Sequence, residues 1–165
     1  MSIKLTDEQL MIQTMVRDFS REVIAPTAAE RDKTKEFPGD NLKQLGELGF
    51  MGMMVPPEYN GSGADTISYV LALSEVAYSC ASTAVVMSVH NSIVCESILR
   101  YGSEDQKQRF LKPLATGEVI GAFALSNNMV IIALGLSIGA MFVRSMTIHL
   151  VRKGTLKVSN VMICG

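Results

Sequence analysis

Two histidines, three cysteines and sixteen carboxylates are the groups in this 165-residue chain that could bind a metal, attack a carbonyl or move a proton. His90 and His149 have no second ligand at the H-x-x-x-H spacing that puts two imidazoles on one helix face. Cys80, Cys95 and Cys164 form no C-x-x-C and are read as small hydrophobes in a reducing compartment. The adjacent pair Glu104-Asp105 sits at a helix start, where capping explains it. Gly61 and Gly63 suggest a phosphate loop, but neither G-x-G-x-x-G nor G-x-x-x-x-G-K-[ST] follows. Asp65, which opens the next helix, would repel an anion there. No catalytic residue and no metal ligand is therefore expected. Val86, Val89, His90 and Ile93 fall at i, i+3, i+4 and i+7 and share one helical face. That face is either ordinary core or the wall of an apolar pocket, and spacing alone leaves both open. His90 on it reads first as a packed or hydrogen-bonded core histidine.

Elements must place these groups, and charge divides the chain. Net charge is −1, with 48% hydrophobic and 19% charged residues, which excludes disordered and collagen-like chains. Nucleic acid is not expected as the main partner, since binding phosphates needs a basic face and the net charge is near neutral. All sixteen acidic residues and eleven basic ones lie in 1–126, a net of −5, whereas 127–165 holds four basic residues and no acid. The uncharged run Val119–Val143 contains an apolar stretch, Met129–Val143. It falls short of the ~20 residues a membrane helix needs, so no membrane span is expected. The N-terminus shows no targeting segment. The expected compartment is the cytoplasm of a bacterial-type cell, or the mitochondrial matrix if a presequence has been removed.

The first 118 residues read as about five helices. Thr6-Asp7-Glu8-Gln9 is a capping box, followed by Leu10, Met11, Met15, Val16, Phe19 and Val23 at helical spacing. Pro26 should end or kink that helix. Pro38 opens a second, with Leu42, Leu45 and Leu48 apolar and Gly49 at its end. Asp65 caps a third, with Ile67, Val70, Leu71 and Leu73 apolar. Ser82 is expected to cap a fourth running to Tyr101. Ser103-Glu104-Asp105-Gln106 opens a fifth. Met11, Met15, Met51, Met53 and Met54 read as core filler. Ile120–Ser126 reads as a strand entering a new domain, and 147–151 with 156–158 as a hairpin about a glycine turn. The fold class is thus mainly α, a helical bundle at 1–118 followed by a partial β domain at 119–165.

Several stretches, in order, carry a family likeness. They are Leu5-Thr6-Asp7-Glu8-Gln9-Leu10, Glu47-Leu48-Gly49-Phe50-Met51-Gly52, and Pro57-Glu58-Tyr59-Asn60-Gly61-Ser62-Gly63-Ala64-Asp65. Cys80-Ala81-Ser82-Thr83 and Ser88-Val89-His90-Asn91-Ser92 follow, then Tyr101-Gly102-Ser103-Glu104-Asp105-Gln106-Lys107. Leu114-Ala115-Thr116-Gly117-Glu118 and Gly121-Ala122-Phe123-Ala124-Leu125-Ser126 complete the set. Over residues 5–126 this resembles the N-terminal helical domain of the acyl-CoA dehydrogenases, most closely the short-chain, butyryl-CoA type. The resemblance implies an FAD flavoprotein of fatty acid β-oxidation. Such an enzyme oxidises the Cα–Cβ bond of an acyl-CoA to a trans-2-enoyl-CoA. A carboxylate takes the α-proton, the flavin takes a hydride, and electrons pass to electron-transfer flavoprotein. It also implies a homo-oligomer, tetrameric in the family, built from a helical domain, a β domain and a C-terminal helical domain.

By the same resemblance Val86, Val89, His90 and Ile93 would line the pocket of a short acyl chain. Phe123, Leu125 and Ser126 would contact the flavin. The likeness breaks at Asn127-Asn128, where the family has Glu-Pro. Ser137-Ile138-Gly139-Ala140-Met141 resembles the family's S-D-x-G-A-M without its Asp. Residues 119–165 thus read as a degenerate start of the β domain, with the C-terminal domain and its catalytic base absent. A chain of this extent is expected to be inactive alone, with sticky strand edges. The competing expectation is a non-catalytic helical module that binds a partner through its apolar C-terminal half.

Overall fold

The structure is a computed structural model that describes residues 4–123, 148–152 and 155–157. α1 (Asp7–Phe19) starts at the expected capping box: Thr6 Oγ1 accepts from the Gln9 amide at 3.2 Å, and Gln9 Oε1 accepts from the Thr6 amide at 3.0 Å. Pro26 does not end the helix. A wide π turn, Ser20–Ile24, in which the Ala25 amide donates to the Ser20 carbonyl, leads directly into α2 (Ala25–Thr34). Proline lacks an N–H and crowds the carbonyl four residues back, and a widened turn just upstream relieves both defects.

α3 (Gly39–Glu47) buries Asn41, Leu42 and Leu45 and ends at Gly49, whose φ of +83° suits glycine. Leu48, expected in its stripe, is exposed. A short 3₁₀ turn, Phe50–Gly52, and Met53 then enter the core. α4 (Thr66–Ser79) is capped as expected, Asp65 accepting from the Ser68 amide at 2.6 Å.

The apolar stripes of α1 and α4 are only partly the ones the spacing suggested: Val16 is buried, and Phe19 and Leu73 pack against the core as expected. Ile67 and Val70 are exposed, while Ser68, Tyr69, Ala72 and Val76 are buried. Leu10, Met11 and Met15 are exposed, while Gln9 and Val16 are buried. Both helices are apolar on more than one side, so periodicity leaves their rotation loosely set. Polar anchors set it instead. Gln9 Nε2 donates to Asp65 at 2.8 Å, and Gln13 Nε2 and Arg17 Nη2 donate to Glu75 at 2.9 and 2.8 Å. These bonds hold α1 alongside α4.

The helix Ala81–Tyr101 combines α5 (Ala81–Ser88), a second wide turn (Val89–Cys95) and α6 (Glu96–Tyr101). It starts at Cys80, not Ser82: the Ala84 amide already bonds the Cys80 carbonyl at 3.1 Å, which leaves Ser82 inside the first turn. By length and composition it could cross a membrane. In this bundle it is the central helix, burying Thr83, Ala84, Met87, Val94, Cys95 and Ile98. Ala84 and Met87 join one apolar cluster with Val16, Leu45 and Met51. Val94, Cys95 and Ile98 join a second with Leu111 and Leu114. His90 and Asn91 fall between the two along the chain.

Ser103 caps the last helical stretch with the expected box, and α7 (Glu104–Gln106), a third wide turn (Lys107–Leu111) and α8 (Lys112–Ala115) follow without a break. β1 (Ile120–Phe123), β2 (Ile148–Arg152) and β3 (Thr155–Lys157) form an antiparallel sheet in that order. Gly121 pairs with Leu150, and Arg152 with Thr155. The expected hairpin is present, its strands separated by two residues. The expected strand begins at Ile120, and its continuation, Ala124–Ser126, lies outside the described residues.

Candidate functional site

Of the site residues expected from sequence, Val89, His90 and Ile93 lie on the wide turn of the central helix and Val86 on the turn of α5 just before it. His90 is fully buried. Its Nδ1 accepts from the Gly121 amide at 3.0 Å, and its Nε2 lies 3.0 Å from the Leu114 carbonyl. A main-chain donor at one nitrogen and a carbonyl at the other define a neutral ring with the proton on Nε2. Burial holds its pKa down, to about 4, against the upward pull of the Leu114 and Met51 backbone. His90 is therefore engaged on both nitrogens by the protein itself.

Asn91, which sequence reasoning missed, is equally committed. Its Oδ1 accepts from the Met53 amide at 3.0 Å, and its Nδ2 donates to the Phe50 and Met87 carbonyls at 3.0 and 3.1 Å. The available signal was an amide inside an otherwise apolar helical run, since a buried polar group must find partners. Cys95, on the same turn, has its thiol pushed up to about 12 by burial, so it is no nucleophile near neutral pH.

Val86 and Val89 are half-buried, and Ile93 is 38% exposed. They flank the buried side of the helix. Val86 also lines a cleft of about 570 Å³ between the end of α2, the 35–38 segment and the first turn of α5. Arg31, Asp32, Lys35 and Glu36 supply charge to that cleft, and Phe37, Pro38 and Cys80 supply apolar and thiol surface. Of the expected flavin contacts, Phe123 is the last residue of β1, and Leu125 and Ser126 lie outside the described residues. Among the described residues no group of three His, Cys, Asp or Glu side chains could hold a metal ion.

The remaining perturbed groups hold the scaffold together. Glu75 sits below the usual carboxylate range because Arg17 and Gln13 bond it. Asp65 is lowered by the Ser68 amide and Gln9. Glu104 is lowered by Gln108 and by the Tyr59 hydroxyl, which donates to it at 2.9 Å.

A capped helical bundle whose last helix leads into an antiparallel sheet, with an imidazole bonding helix to strand, defines a recognisable class of domain. The family model described as acyl-CoA dehydrogenase, N-terminal domain, matches residues 6–118. The chain belongs to the acyl-CoA dehydrogenase family. A second model, of a protein family of unknown function, matches residues 113–164. The chain is 46% identical over 122 residues to an acyl-CoA dehydrogenase of Bacillus subtilis, covering 74% of this chain and 32% of that one. It is 43% identical over 126 residues to a short-chain specific acyl-CoA dehydrogenase of Clostridium acetobutylicum, covering 76% and 33%. The chain thus spans about a third of the length of the curated relatives it matches. The structure of butyryl-CoA dehydrogenase from Megasphaera elsdenii superimposes with a TM-score of 0.71 over 94% of this chain and 51% of that one. At 23% identity this shows a shared fold.

Proposed function

We propose that this chain supplies the N-terminal helical domain of a short-chain acyl-CoA dehydrogenase. Residues 1–118 form that domain, and 119–165 begin a β domain. The observation that supports this best is the family match across residues 6–118, joined to likeness with a short-chain specific enzyme. Val86, Val89 and Ile93 present apolar side chains on the accessible flank of the central helix. They suit contact with a short alkyl chain, which gains by leaving water. His90 contributes from behind that flank, because both its nitrogens are occupied by main chain.

FAD is the cofactor of this reading, and when bound it would supply the hydride acceptor. Among the described residues, Phe123 at the end of β1 is the one expected flavin contact, with Leu125 and Ser126 two and three residues further along the chain. Electron-transfer flavoprotein as electron acceptor, a tetrameric assembly and a cytoplasmic or matrix location belong to the same proposal. Residues 1–165 alone should not turn over acyl-CoA. Abstraction of an α-proton needs a carboxylate within hydrogen-bonding reach. The acids of 1–118 cap helices, pair with neighbouring side chains or sit exposed.

The test has two arms. A longer form carrying this N-terminus should convert butyryl-CoA to its enoyl product, and a clear preference for chains of about twelve carbons would overturn the short-chain assignment. The visible spectrum of purified 1–165 addresses the competing view of a non-catalytic module. Flavin absorption near one equivalent per chain counts against that module, and a colourless oligomer favours it.

A further inference from the structure

Adjacent residues on an α-helix diverge by about 100°, yet His90 and Asn91 are both buried and both bonded to distant segments. The wide turn Val89–Cys95 is where this occurs. Asn91 fastens the 50–53 segment. His90 reaches the end of α8 through Leu114 and the start of the sheet through Gly121.

β1 is pressed closely against this turn. A Cβ placed on Gly121 would lie 2.5 Å from Val94 Cγ1 and 3.1 Å from Leu114 Cδ2. Only a bare backbone approaches that far. The strand amide then needs an acceptor on the helix, and the Nδ1 of His90 is that acceptor.

We propose that His90 is a positioning residue whose single neutral ring fixes the first β-strand against the central helix. It follows Val89 directly in sequence and bonds Gly121, two residues before Phe123. One imidazole therefore sets the spacing between the apolar flank and the strand that leads to the flavin-contacting segment. That last consequence rests on the dehydrogenase reading, whereas the clamp itself does not.

Two isosteres separate its two bonds. Asn keeps an acceptor near the Nδ1 position and loses the far donor, and Gln keeps a donor near the Nε2 position and loses the near acceptor. The experiment is amide hydrogen exchange, residue by residue, on the 1–165 chain and on H90N, H90Q and H90L. Gly121 exchange should rise at least tenfold relative to Ile98 in H90Q and H90L. It should stay within about threefold of the parent in H90N. The ¹⁵N shifts of the parent imidazole at pH 7 should report the Nε2–H tautomer. Unchanged Gly121 protection in H90Q and H90L, or a loss that Ile98 matches, overturns the clamp. An Nδ1–H or doubly protonated ring in the parent overturns it whether or not the variants fold. None of these readouts involves flavin or acyl-CoA, so failure of the clamp and failure of the dehydrogenase reading are distinguishable.

Discussion

Acidification should loosen this domain through His90 before its carboxylates respond. The imidazole titrates near 6.5 in an unfolded chain and near 4 when buried here. Its folded pKa is depressed, so between these values the unfolded chain binds the extra proton. The stabilisation is fully present above pH 6.5, falls as pH drops towards 4, and is flat below. A shift of that size corresponds to roughly 3 kcal/mol, most of it already lost at pH 4.5. Asp65, Glu75 and Glu104 sit below the usual carboxylate range, so their contribution starts to fall only near their ordinary values of 3.8 and 4.5, at the bottom of this window, and most of it is lost below. Urea unfolding followed by far-UV circular dichroism at pH 7.5 and 4.5 measures the effect. With a typical slope of about 1–3 kcal/mol per molar urea, the parent midpoint should fall by roughly 1–2 M. H90N removes the titrating ring, while His149 remains in both proteins and cancels in their difference. The variant should be less stable at pH 7.5 and should lose roughly 2–3 kcal/mol less on acidification. Parallel losses in parent and variant would refute the argument that a buried neutral imidazole underlies this sensitivity.

Replacing Asn91 by Leu keeps the volume but strands the Met53 amide and the Phe50 carbonyl. Unfolding free energy should drop by about 2–4 kcal/mol, measured by the same urea titration, and a loss under about 0.5 would show that those groups find other partners. Gly121→Ala places a methyl group 2.5 Å from Val94 Cγ1. It should cost about 1–3 kcal/mol by overpacking, read as a lower thermal midpoint, and an unchanged midpoint would mean that β1 sits further from the helix than described.

Local chemistry wrote much of this structure into the sequence. Thr6, Asp65 and Ser103 cap the helices they were expected to cap, because a cap needs only its own side chain and an amide three residues on. Gly49 stops α3 for a similarly local reason, a positive φ that costs glycine nothing. The hairpin of 148–157 follows from two β-rich runs about a short turn. The family likeness was legible too, since it rests on the order of short motifs.

Tertiary contacts decided the rest. Pro26 reads as the end or a kink of its helix, and the structure excludes the end: a wide turn upstream absorbs the proline and carries the chain on to Thr34. Ile67 and Val70 read as core, yet Gln9, Arg17 and Glu75 turn α1 and α4 so that other residues face inward. His90 lay on a face that spacing left open between core and pocket. Its role depends on Leu114 and Gly121, 24 and 31 residues away, and on the wide turn that brings it to them. Periodicity describes a helix in isolation. Which side is buried, and which polar atoms are answered, is settled only when distant segments pack against it.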